Sequence, residues 1–278
     1  MDMERNWFEK NGCRFRFHLN EDGESVTIDE VWNFSKNPTL SIPGSIPAGK
    51  EGKLLLATKI GRDAFKAREQ IDKFGIEHLH YYVGDANILE FGEGIKEIAA
   101  MPYWDENPYE DLEMISLPSS LEKIGIEGLN PFSGTLSLKE IRVNPENPYF
   151  YAEEGVLYQK KDGKCSLLCY PLGKKNREFK VPEGVTDINF DAFKGSENLT
   201  KVSLPSTLKA IYSQAFKDCI SLKEVDFNSS VSHFGYEVFS NCPSLKEVKL
   251  YSDDPSELDL DIAFDSTTSI EILKNSQI

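Results

Sequence analysis

The sequence predicts an α/β solenoid, a stack of short coils sharing one parallel β-sheet face, and three observations carry that prediction. Residues 199–250 written in rows of 23 nearly repeat themselves: Leu199, Leu222 and Leu245 head the rows, with Val202, Val225 and Val248 beneath them, then Leu204, Phe227 and Leu250. The columns continue through Leu208 and Val231, Ile211 and Phe234, Ala215 and Val238, Phe216 and Phe239, and Cys219 and Cys242. Looser copies lie upstream, where Phe91, Leu117 and Val143 are 26 apart, as are Ile98 and Ile124. A fixed period of this length marks units that cannot bury an apolar face alone and gain a core only by stacking.

A solenoid grows by adding coils, so 278 residues need no second core and one elongated body is expected. Lys and Arg number 31 against 46 Asp and Glu, a formal charge of -15, which repels phosphate backbones and anionic lipid. Nucleic acid is excluded as a partner class, and no apolar run reaches the ~18 residues of a membrane span. The opening Met1-Asp2-Met3-Glu4-Arg5-Asn6 lacks the basic start and apolar run of a secretory signal, so a cytoplasmic chain is expected if Met1 is the native start.

Residues 1–40 do not repeat. Cys13, Phe15, Phe17 and Leu19 alternate with polar neighbours, Asp22-Gly23 makes a turn, and Val26 and Ile28 resume the alternation. This predicts a β-hairpin that caps the first coil, with the solenoid occupying 41–278. In the first enlarged unit, Ala64, Ala67, Arg68, Ile71 and Phe74 fall near helical spacing between Asp63 and Gly75, which predicts a helix of about three turns. Strands are expected at His78–Val83 and Ile88–Phe91, without a basis for choosing which joins the main sheet. Longer outer loops are expected around Pro102 and Asp105–Asp111.

Between Val143 and Val181 the step widens to 38. The excess holds Val156-Leu157-Tyr158, the turn Lys161-Asp162-Gly163-Lys164 and Cys165–Pro171, read as one inserted hairpin over about 149–171 that projects from the solenoid. As an accessory it would tolerate replacement by a short linker. Past Leu250, Ala263-Phe264 continue the Ala-Phe column after a two-residue insertion near Asp253-Asp254-Pro255. That offset puts Ile270 and Leu273 on the Leu245 and Val248 columns and predicts one more strand.

The run L-x-x-V-x-L-P-x-x-L-x-x-I-x-x-x-A-F-x-x-C from Leu199 to Cys219 resembles the BspA-like class of leucine-rich repeat, found largely in bacterial surface proteins. Asn144-Pro145 to Tyr149, Gly155-Val156-Leu157-Tyr158 and Tyr170–Lys175 resemble a hairpin insertion common in that class. The resemblance covers roughly residues 40–275. It implies a right-handed leucine-rich-repeat coil, placement at the cell surface or secretion, and in some members adhesion through protein binding.

Strand alternation points Val202 and Leu204 into the core and Lys201 and Ser203 outward. Stacking then makes one row of Lys201, Glu224 and Glu247 and another of Ser203, Asp226 and Lys249, the candidate protein-binding surface. Met114, Ser116, Glu140, Arg142 and Lys180 extend it upstream, and cross-strand pairs such as Asp226 with Lys249 are expected. None of these is Trp or Tyr, which favours a protein partner over a glycan. The alternatives are a spacer within a surface assembly and an enzyme whose site carries no motif.

No cofactor, metal or catalytic residue is expected, and the chain is read as a monomer. His78-x-His80 shares a strand face but has no identifiable third ligand. Asp253-Asp254 and Asp259-x-Asp261 lack the twelve-residue calcium-loop pattern. Cys219 and Cys242 fall on successive coils with backbones ~5 Å apart, and buried free thiols are expected there because side chains in parallel register seldom meet the disulfide dihedral.

Overall fold

The computed structural model describes residues 6–35, 37–47, 53–65, 68–71, 77–80, 86–99, 111–125, 132–227, 231–252 and 255–274. The chain divides into two compact units, one of residues 1–127 and 135–151 and the other of 128–134 and 152–278. It is rich in strands, many of them paired in parallel, and almost free of helix: a 3-10 turn at Pro255–Glu257 and a four-residue α1 at Leu260–Ala263 are the helical pieces among the described residues. The helical component expected of an α/β coil is thus nearly absent, because the outer side of each repeat closes in turns too short to nucleate an α-helix.

In the first unit, β1 (Asn6–Lys10), β2 (Cys13–Leu19) and β3 (Ser25–Asn33) form an antiparallel meander. β4 (Thr39–Ile42) and β5 (Ser45–Pro47) follow, and then β6 (Leu54–Ile60), which pairs in parallel with β3. The expected hairpin at Asp22-Gly23 is present, its turn held by the Asp22 carboxylate accepting from the N–H groups of Glu24 and Ser25 at 2.9 Å each. Phe15, Phe17, Val26 and Ile28 are buried, whereas Leu19, beyond the bulge at Arg16/Phe17, is 50% exposed.

The helix expected after Asp63 does not form. Arg68–Ile71 is strand β7, antiparallel to β8 (Glu77–His80), with Arg68 opposite His80 and Ile71 opposite Glu77. An isolated helix of three turns is marginal in water, and pairing satisfies the same backbone groups. Lys66, Ala67 and residues 72–76 lie outside the described residues, as do 81–83, Pro102 and 101–110. Of the two candidate strands, β9 (Ile88–Phe91) is the one in the main parallel sheet.

After β10 (Glu97–Ile98), β11 (Met114–Leu117), β12 (Lys123–Ile124) and β13 (Glu140–Val143), the unit holds two ladders. Four-residue strands run in the order β13-β11-β9-β4, and two-residue strands continue the meander as β3-β6-β10-β12. Leu117 faces Val143 and Ile98 faces Ile124, as the 26-residue columns require.

The second unit repeats this plan. β14 (Phe150–Glu153), which spans the boundary of the two units, precedes the hairpin of β15 (Val156–Lys161) and β16 (Lys164–Cys169). After β17 (Glu178–Lys180), β18 (Asp187–Ile188), β19 (Lys201–Leu204), β20 (Ala210–Ile211), β21 (Glu224–Phe227) and β22 (His233–Phe234), the short strands run β16-β18-β20-β22 and the long ones β17-β19-β21. β23 (Glu247–Tyr251) and β24 (Ser269–Leu273) close the chain as a separate parallel pair.

The hairpin is real, with Lys161 opposite Lys164 and positive φ at both Asp162 (51°) and Gly163 (76°), the signature of a two-residue primed turn. It does not project as an accessory. Val156, Leu157, Tyr158, Leu167, Cys169 and Tyr170 are buried, and Leu167 pairs with Ile188 in the parallel ladder. The extra residues of the 38-residue step are therefore core, because they start the short-strand ladder instead of looping over it.

The Ala-Phe column forms a spine. Tyr170, Phe193, Phe216, Phe239 and Phe264 stack in sequence with centroid separations of 5.1, 4.7, 5.0 and 4.7 Å. Cys219 and Cys242 are buried free thiols, each donating to a carbonyl, of Phe193 (3.2 Å) and Phe216 (3.1 Å). Burial pushes the Cys219 thiol well above its ordinary range. Phe239 bridges Phe264, so the Ala263-Phe264 offset is correct, but Val248 faces Ile270 and Tyr251 faces Leu273. The final repeat omits residues between Phe264 and its strand, which moves the expected register of Ile270 and Leu273. Asp253 and Asp254 lie outside the described residues.

One turn network recurs in both units. The Glu93 carboxylate accepts from Ser119 N–H (2.9 Å), Ser119 Oγ (2.8 Å), Ser120 N–H (3.2 Å) and Asn144 Nδ2 (3.1 Å), and Glu183 accepts likewise from Ser206. Partial burial alone would raise the Glu93 carboxyl, but these donors outweigh it and hold the group below the usual carboxylate range. A folded-state pKa below the unfolded one gives stability that is present above about pH 4.3 and lost as pH falls through the folded value. Glu93→Gln should therefore lower stability at pH 7 by less than about 1 kcal/mol, since most of the group is exposed, and the gap should narrow as pH falls below about 4.3. Denaturant melts of both proteins at pH 7, 5, 4 and 3 measure this, and a constant gap would refute it.

Candidate functional site

Strand alternation places all six predicted residues on the outward face of the second unit's long strands. In the β19–β21 register Lys201 faces Glu224 and Ser203 faces Asp226. The Lys201 ammonium sits between two carboxylates, 2.6 Å from Glu224 and 2.8 Å from Asp226, and Ser203 Oγ donates to Asp226 at 3.1 Å. These bonds raise the Lys201 pKa above its ordinary value. Partial burial works to raise the Asp226 carboxyl, but the donors Lys201 and Ser203 hold it below the usual range.

The expected Asp226–Lys249 pair is absent. Asp226 is held by Lys201, while Lys249 pairs with Glu271 at 3.1 Å. The reason is a break in the sheet: Val202 pairs with Val225, and Val248 with Ile270, but no ladder joins β21 to β23. The opposite side stays continuous, with Phe216 N–H bonded to the Val238 carbonyl (2.9 Å) and the Phe216 and Phe239 rings stacked. Phe227 stands at the parting, in a column that Leu204 and Leu250 fill elsewhere, and its ring reaches Phe234 (6.1 Å) and Phe239 (6.5 Å).

A cleft of about 450 Å³ opens at this break, lined by Glu224, Val225, Asp226, Phe227, Glu247, Lys249 and Tyr251. Four of the six predicted residues line it; Lys201 and Ser203 buttress Asp226 from the neighbouring strand. Two participants were missed from sequence. Tyr251 lies two positions past Lys249 and so on the same face, a signal that strand alternation carries, and it gives the face one aromatic ring. Glu271 depended on the register of the last strand.

The first unit's face is similar in kind. Met114 faces Glu140 and Ser116 faces Arg142, with Arg142 bonded to Glu140 at 2.9 and 3.0 Å and Ser41 to Glu90 at 3.1 Å. Among the described residues no group of three His, Cys, Asp or Glu is arranged to hold a metal. His78 and His80 lie on β8, and their side chains are outside the described ones.

Residues 172–276 match six copies of the BspA type leucine rich repeat region. Similar solved structures include a leucine rich cell surface protein from Faecalibacterium prausnitzii, 18% identical, covering 98% of this chain and 89% of the other with a TM-score of 0.48. The pneumococcal vaccine antigen PcpA is 19% identical over 97% of this chain and 88% of its own, TM-score 0.48. A leucine rich repeat protein of T. pallidum is 18% identical over 83% and 87%, TM-score 0.47. No curated protein matches.

Proposed function

We propose that this chain is a non-catalytic binding protein of the bacterial cell surface that presents the long-strand face of its second unit to a protein partner. The observation that supports this most is the charge row on β19, β21 and β23. Lys201, Glu224, Asp226, Glu247 and Lys249 project to solvent from a rigid scaffold, and the Lys201 bonds fix donors and acceptors in place before any partner arrives. Mixed charges of this kind set register and encounter rate more than raw affinity. BspA-type repeats over residues 172–276 agree with the reading. No helix among the described residues is long and apolar enough to cross a membrane.

The test is a biosensor screen against surface proteins of the host and of neighbouring cells. It uses the wild type, the double variant Glu224→Lys with Glu247→Lys, and the charge swap Glu178→Lys with Lys180→Glu at the far edge of the same face. The wild type should bind a partner, with on-rates falling between low and physiological salt, and at least one face variant should weaken binding about tenfold or more while circular dichroism stays unchanged. Equal binding by all three would move the site off this face. No binding by the wild type would favour a spacer.

A further inference from the structure

We infer that the cleft between β21 and β23 receives a Lys or Arg side chain of the protein partner. This rests on the sheet-face reading and names what the break in that face recognises. The cleft is amphipathic in the manner of a long basic side chain. Val225 and Phe227, core residues that border the cleft at its base, give the methylene stem an apolar neighbour, while the carboxylates of Glu224, Asp226 and Glu247 line the walls that its charged head would meet. Tyr251 adds a ring on which a cation can lie.

Charge complementarity sets the sign of the occupant. Three carboxylates and one ammonium line the cleft, and that ammonium, Lys249, is drawn to Glu271 at 3.1 Å. Lys201 approaches from β19 and is shared between Glu224 and Asp226, one ammonium for two carboxylates, while Glu247 stands across the cleft on β23. With Lys201 and Glu271 counted, four carboxylates oppose two ammonium groups, so an entering cation offsets part of the negative surplus and an entering anion meets repulsion. A bare metal ion fits less well, since the described residues offer no ligand cluster for one.

The test uses a positional library of fluorescein-labelled nonapeptides on a Thr/Val host, read by fluorescence anisotropy. Wild type should select Lys or Arg over Glu at one central position by tenfold or more. Glu247→Lys should abolish that selection and Asp226→Asn should weaken it several-fold, with circular dichroism unchanged in both. Glu197→Lys makes the same change in net charge at an exposed site away from the cleft and should alter binding less than threefold. Absence of any basic preference would overturn the inference, as would equal losses in Glu247→Lys and Glu197→Lys, or displacement of the peptide by spermine at equal concentration. If the cleft variants leave capture of the partner intact while the Glu178/Lys180 swap removes it, the cleft assignment fails and the sheet-face reading stands.

Discussion

Phe216→Ala should destabilise the protein by roughly 3 to 5 kcal/mol, the range found when a core aromatic site is emptied. Phe216 is fully buried and its ring is covered on both faces, by Phe193 at 4.7 Å and 9° and by Phe239 at 5.0 Å and 8°. Near-parallel rings at those separations, beyond the ~3.5 Å of face contact, are offset, the arrangement the ring quadrupole favours. Phe216→Leu keeps most of the volume and loses the stacking, so it should cost only about 1 to 2 kcal/mol. Urea melts that follow the second unit measure both, and a loss below about 1 kcal/mol for the alanine variant would contradict the stacked spine. Coupling between Phe193→Leu and Phe216→Leu should reach about 0.5 to 1.5 kcal/mol in a double-mutant cycle.

The spine was legible in the sequence because it depends on one residue per repeat at a constant step, and a step of 23 from Phe193 to Phe239 brings identical side chains into register whatever the turns between them do. The outward rows were legible for the same reason. Contacts set by neighbouring bulk were not. The parting of β21 from β23 leaves the 23-residue step untouched, so no column of the repeat records it. The Asp226–Lys249 pair was lost with it, and the cleft arose from it. The helix expected from Ala64 onward had periodicity but nothing in sequence to show that strand pairing would satisfy the same backbone groups. The last strand was found and its register missed, because deletions within a repeat leave the Ala-Phe column intact.

The inserted hairpin taught the opposite lesson from the one its position suggests, and its removal should be the most damaging change of all. In the first unit the Gly61 N–H bonds the Ile28 carbonyl (2.8 Å) and the Val31 N–H bonds the Ala64 carbonyl (2.8 Å), tying β3 to β6 and the turn that follows it. In the second unit Asn189 N–H to Leu167 carbonyl (2.9 Å) and Tyr170 N–H to Ala192 carbonyl (2.8 Å) do the same for β16. Each ladder thus begins on the last strand of an antiparallel hairpin, which pairs with it in parallel and covers its first edge, the protection a stack of repeats needs at an open end. Replacing Tyr149–Tyr170 by a Gly-Ser linker would strip that edge at Ile188 and uncover the end of the ring stack at Phe193, which Tyr170 covers at 5.1 Å. The expected result is an insoluble product, or a soluble one without a cooperative transition. Leu167→Asp should do the same within the intact chain, because an unpaired carboxylate at a fully buried ladder position costs more than about 4 kcal/mol, against a total stability of roughly 5 to 15. Asp162→Asn at the exposed hairpin tip keeps a residue that tolerates positive φ and should leave the melt unchanged within about 0.5 kcal/mol. A deletion variant that stays soluble and unfolds cooperatively would show that the hairpin is an accessory after all.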